Sequence, residues 1–143
     1  MDRRKFLKQS CGACAAVSIG LIAGSSLLES CASTGLGVLK TGSDQGKVSI
    51  PLDSFALNNF KLVRVEKYNY DIGVQKMEDG SFSAMVLMCT HARHPLTKAG
   101  NGYYCTLHGS KFSGTGKVEK GPASKPMVHL DTAISGTDLI ITL

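Results

Sequence analysis

From Lys47 onward the chain is a series of short apolar runs broken by glycine, proline and polar turns. Val48-Ser49-Ile50 alternates apolar and polar before Pro51 stops it, the period-two pattern of a half-buried strand. Lys61 to Val65 and Asp71 to Val74 read as two more strands. Glu78-Asp79-Gly80-Ser81 is a hairpin signal between apolar runs. Ser83 to Met88 predicts a buried strand that leads straight into Cys89, and Tyr103-Tyr104 leads into Cys105. Val128-His129-Leu130, Ala133-Ile134 and Leu139-Ile140-Ile141 close the pattern. Strands this short at this spacing predict an all-β fold, an antiparallel β-sandwich or barrel. About 97 residues (47–143) suffice for one hydrophobic core. No internal repeat is visible.

The first thirty residues read as an address rather than as part of the fold. Asp2-Arg3-Arg4-Lys5-Phe6-Leu7-Lys8 resembles a twin-arginine export motif. A weakly apolar stretch diluted by Gly, Ser and Ala follows from Ser10 to Leu28 and ends at Leu28-Glu29-Ser30-Cys31. This end resembles a bacterial lipobox, although Glu29 stands where a small or apolar residue is usual. A lipid on Cys31 would tie the protein to a membrane, each buried methylene contributing about 0.8 kcal/mol. Two alternatives stay open: an uncut N-terminal segment that anchors the chain, or ordinary cleavage that releases it. Residues 31–46, rich in Gly, Ser and Thr, read as a flexible tether.

Charge changes the picture little. Beyond residue 30 there are 12 basic and 9 acidic residues, a net +3. The basic residues are scattered along the sequence without interleaved aromatics, which gives no basis for nucleic-acid binding. The cysteines say more. Cys11 and Cys14 lie in the N-terminal segment, Cys31 is the candidate lipidation site, and only Cys89 and Cys105 remain in the folded part. None is left for a structural disulfide.

Those two cysteines each have a histidine partner. Cys89-Thr90-His91 is followed after thirteen residues by Cys105-Thr106-Leu107-His108. A zinc finger pairs cysteine with cysteine and histidine with histidine, whereas each half here carries one of each. Two such loops facing each other match a [2Fe–2S] cluster with two thiolates on one iron and two imidazoles on the other.

The pattern resembles the Rieske iron–sulfur family. The resemblance extends through His108-Gly109-Ser110-Lys111-Phe112, Gly116-Lys117-Val118, and Gly121-Pro122-Ala123 with Pro126, and covers roughly residues 47–143. It implies a β-sandwich base with a small inserted cluster-binding subdomain at about 87–127, the two ligand loops at its tip and 121–126 as a covering third loop. It implies Cys89, His91, Cys105 and His108 as ligands and Ser110 as a hydrogen-bond donor to a bridging sulfide. The chain departs from the high-potential members at three positions. His94 and Leu107 stand where those members carry a disulfide, and Phe112 where they carry a tyrosine that hydrogen-bonds a cysteine sulfur. With one donor kept and one lost, an intermediate potential is expected.

The implied activity is one-electron transfer in a membrane-associated bacterial redox chain, on the periplasmic face of the cytoplasmic membrane or at the outer membrane. Its partners would be cytochrome b-like or cytochrome c-like proteins, and quinol if the chain serves a cytochrome bc-like assembly. An oxygenase ferredoxin and a zinc-stabilised binding module without redox role are the alternatives. No set of residues for nucleophilic catalysis is left over, so a carrier or a subunit is expected rather than a stand-alone enzyme.

Overall fold

A computed structural model describes residues 37–143. The N-terminal segment 1–30, with Cys11 and Cys14, and residues 31–36, with Cys31, lie outside the described residues. The first strand, β1 (Val38–Thr41), falls within the stretch read as a tether. It pairs parallel with β3 (Phe60–Val65), Val38 opposite Leu62 and Thr41 opposite Val65, and Leu39 packs against the core. That pairing is a correction to the flexible reading: strand β3 supplies the hydrogen bonds that a Gly/Ser-rich local sequence does not advertise.

Two sheets form the base. One has the order β1-β3-β4-β5-β10, with β4 at Ile72–Lys76, β5 at Phe82–Val86 and β10 at His129–Leu130. The other has the order β11-β12-β2, with β2 at Lys47–Pro51, β11 at Thr132–Ser135 and β12 at Asp138–Thr142. The alternation read in the sequence sets the inward faces. Val48 and Ile50 of β2 lie opposite Ile141 and Leu139 of β12, and all four are buried. They share one core with Val63, Val65, Ile72, Val74 and Ala84 of the other sheet and with Phe55 of a short 3-10 turn, Leu52–Phe55. Every strand pair is antiparallel except β1–β3. The expected hairpin joins β4 to β5: Met77 N–H donates to the Ser81 carbonyl at 2.8 Å, and Gly80 takes φ +83°.

Between β5 and β10 the chain leaves the base and returns. These two strands are hydrogen-bonded neighbours, His129 opposite Met85 and Leu130 opposite Ala84. The excursion builds a four-stranded antiparallel sheet of β6 (Thr97–Ala99), β7 (Gly102–Tyr104), β8 (Lys111–Phe112) and β9 (Val118–Lys120). It has its own core of Phe60, Met85, Leu87, Leu96, Tyr103, Phe112, Ala123 and Met127, in which Cys89 and Cys105 are embedded.

Candidate metal centre

Each cysteine opens a loop of the same backbone design. Cys89 N–H donates to the His94 carbonyl, and the Cys89 carbonyl accepts from Arg93 N–H, both at 2.8 Å. Cys105 repeats this with Ser110 and Gly109, both at 2.9 Å. The residue four after each cysteine turns the chain back through the left-handed region, with φ +53° at Arg93 and +78° at Gly109. Glycine accepts that conformation without penalty, while Arg93 holds it at a cost of about 1–2 kcal/mol. The loops differ in where histidine sits, two residues after Cys89 and three after Cys105.

The consequence is a sorted set of donors. Cys89 and Cys105 are fully buried and free, while His91 and His108 are exposed. The two imidazoles stand edge to face, ring centroids 4.9 Å apart at 81°. Burial pushes the Cys89 thiol up. The His91 N–H, the Cys105 thiol, the Ala92 N–H and the Ser110 hydroxyl all stabilise its sulfur, and the net direction is down. A sulfur surrounded by donors is prepared for the thiolate form that binds metal.

A third segment locks the two loops. Ser110 is completely buried, and its Oγ accepts from the Ala123 N–H at 3.1 Å. Thr90 Oγ1 donates to the Lys125 carbonyl at 2.6 Å. Both ligand loops are therefore tied to the stretch that the sequence marks by Pro122 and Pro126. The base adds a further tie, the Tyr70 hydroxyl donating to the Arg93 carbonyl at 2.8 Å. At the two departing positions, His94 is half-buried with its carbonyl engaged by Cys89, and Leu107 is 56% exposed beside His108.

Among the described residues no three His, Cys, Asp or Glu side chains surround one point, as a mononuclear ion requires. A two-iron cluster makes a different demand, two protein ligands on each iron. Two buried thiols with a hydroxyl beside them, backed by two imidazoles at the surface, meet it. The sequence placed Ala123 in the covering loop but did not single out Thr90 or Tyr70 as parts of the site. Thr90 lies between two candidate ligands, a usable hint; Tyr70 is 23 residues from its partner and carries none.

A Rieske [2Fe-2S] domain model matches residues 52–134, more than half of the chain. The cytochrome b6-f complex iron-sulfur subunit of Chlorobaculum thiosulfatiphilum is 28% identical over 81 residues, 55% of this chain and 45% of that protein. The mitochondrial Rieske subunit of the cytochrome b-c1 complex of Lagothrix lagotricha is 30% identical over 71 residues, 48% of this chain and 26% of that protein. The chain spans less than half the length of either relative. A plasma membrane Rieske protein from Synechocystis PCC 6803 shares the fold at TM-score 0.56 and 24% identity, over 67% of this chain and 99% of that one. The matched stretch contains both Cys/His loops and the segment that clasps them, and the chain belongs to the Rieske [2Fe-2S] domain family, carrying a Rieske cluster for electron transfer.

Proposed function

We propose that the chain is a one-electron carrier held at the outer face of a bacterial cytoplasmic membrane, in which Cys89 and Cys105 hold an inner iron and His91 and His108 an outer one. The observation that carries this reading is the pairing of thiol with thiol in the core and imidazole with imidazole at the surface. When bound, the cluster supplies a one-electron couple, which two neutral imidazole ligands raise to roughly −150 to +300 mV against about −400 mV for all-cysteine plant-type centres. The protein keeps the sulfur side dry and leaves the histidine side open to a partner. Each exposed imidazole has a second ring nitrogen at which a proton can be exchanged, which suits a quinol donor.

The names of the curated relatives, subunits of cytochrome b6-f and b-c1 complexes, support a quinol-oxidising assembly with cytochrome b-like or c-like partners. His94 and Leu107, in place of a loop disulfide, favour a second reading, the ferredoxin of an oxygenase system. The Arg3-Arg4 export motif and Cys31 favour the membrane reading over it. Visible and EPR spectra of the purified protein test the centre: a coloured protein with an EPR signal on reduction is expected, and a colourless, EPR-silent protein in both redox states sinks it. Incorporation of labelled fatty acid, lost in Cys31→Ser, tests the anchor. Co-purification of a cytochrome b-like protein rather than an oxygenase separates the two partner readings.

A further inference from the structure

The basic residues are divided evenly between the excursion and the rest of the described chain, but the acidic ones are not. The excursion that carries the site, residues 87–127, holds six basic side chains, Arg93, Lys98, Lys111, Lys117, Lys120 and Lys125, against the single acid Glu119, a net +5. The rest of the described chain, 37–86 and 128–143, has six basic residues against eight acidic ones, a net −2. All but Lys98 of the six are exposed. Among the described residues the one ion pair is Arg64 with Asp71, at 2.7 Å, and it lies in the base. The positive charge of the tip is therefore not neutralised by its own fold.

The placement is directed. Arg93 ends the first ligand loop and Lys125 sits where Thr90 clasps the third segment. Lys111 follows Ser110 and faces Lys120 across β8 and β9. Together with Gly109 they line an open groove of about 710 Å³ that starts beside the second ligand loop. His91 and His108, with rings 4.9 Å apart, and the half-exposed apolar Leu107 lie on the same two ligand loops that Arg93 and Lys111 flank in sequence. The two thiolates balance the oxidised cluster core, so the Lys/Arg excess sets the sign of the tip.

We infer that the tip is a docking surface for an acidic redox protein, Leu107 and the two imidazoles making the close contact and the lysine–arginine rim steering and orienting the approach. This rests on the electron-carrier reading and adds the chemical class of the partner. An apolar centre within a charged rim is the layout of a protein–protein contact, where complementary charge raises association rate and fixes orientation. A lipid surface would match the charge but would cover the imidazoles with no electron acceptor. In the encounter one electron leaves the reduced cluster and enters the partner's oxidised centre; no atom changes hands.

The test uses the full, cluster-loaded chain, reduced, with two oxidised c-type cytochromes of similar potential as probes, one acidic and one basic. Electron transfer to the acidic cytochrome should be faster and should slow about tenfold as salt rises from roughly 10 to roughly 300 mM. Transfer to the basic one should speed up. Lys111→Glu with Lys125→Glu, which takes the tip from +5 to +1, should remove most of the preference. Lys40→Glu with Lys47→Glu, the same change of net charge on the base, should leave it in place. Equal salt slopes for both cytochromes, or equal effects of the two variant pairs, would overturn the inference while leaving the carrier reading intact. So would a tip whose charges govern binding to phosphatidylglycerol-containing vesicles but not the choice of cytochrome. Failure to load a redox-active cluster would overturn both.

Discussion

The Ala123 amide donates to Ser110 Oγ across 3.1 Å, so the one fully buried polar side chain among the described residues is oriented by the third loop. With its oxygen accepting that bond, the Ser110 hydroxyl proton is free to face the buried sulfur of Cys89. Hydrogen bonds to sulfur favour the more negative, reduced state. Replacing Ser110 by Ala should therefore lower the reduction potential. A charge-assisted bond that differs between redox states by about 1–2 kcal/mol corresponds to roughly 40–90 mV. The variant should also lose about 1–3 kcal/mol of stability, because the Ala123 N–H is left without its partner. An EPR-monitored redox titration reads the first effect and urea unfolding the second; an unchanged potential would remove Ser110 from the set of tuning groups.

Phe112 gives the opposite test. Its ring is 1% exposed and shares a core with Cys105, in the position where the family resemblance implies a tyrosine that donates to a cysteine sulfur. Phe112→Tyr should raise the potential by roughly the amount that Ser110→Ala lowers it, about 40–90 mV. Shifts of the same sign in the two variants would show that packing around the cluster, rather than donors to sulfur, controls the potential.

Thr90 reaches from the first ligand loop to the Lys125 carbonyl at 2.6 Å, and no cysteine stands at 94 or 107 to bind that loop to the second. Removing the hydroxyl while keeping the shape, Thr90→Val, should cost about 0.5–1.5 kcal/mol. It should also speed loss of the cluster to a chelator, followed as bleaching in the visible spectrum. Thr90→Ser, which keeps the donor, should stay near the parent. If both variants bleach at the parent rate, the third loop is held by the packing of Ala123 and Met127 alone.

The sequence showed best what depends on local pattern. Val48 and Ile50, or Leu139 and Ile141, alternate because each strand has one wet and one dry face, and the dry faces meet in one core. The Cys/His pairs were legible because few other uses exist for a thiol and an imidazole two or three residues apart. Strand β1 was not legible, since Val38–Thr41 is set in a Gly/Ser-rich stretch and draws its order from β3, 24 residues further along. Thr97–Ala99, Lys111–Phe112 and Val118–Lys120 are too short to show a period. Their partners, not their own residues, make them strands. The ties that complete the site are of the same kind: Tyr70 to Arg93 and Ala123 to Ser110 are contacts between distant segments with no local signature.

Tyr103, in the same buried cluster as the two cysteines, offers a pH test of the subdomain. Its ring is 3% exposed, tilted against Phe60 at 6.5 Å, with Lys98 Nζ 5.2 Å from its centroid. Burial pushes its pKa from the ordinary 10.0 up to about 12. The folded protein thus keeps the phenol proton through a range in which the unfolded chain releases it. Below pH 10 that contribution is intact, and it is lost as pH rises from about 10 through about 12. The loss is on the order of 2–3 kcal/mol. Tyr103→Phe has no proton to lose, so its stability, measured by urea unfolding from pH 8 to 12, should fall less steeply than the parent's across roughly that window. Parallel curves for the two proteins would mean that Tyr103 ionises without unfolding the subdomain, and that its hydroxyl reaches water through the groove it lines with Asn59 and Thr115.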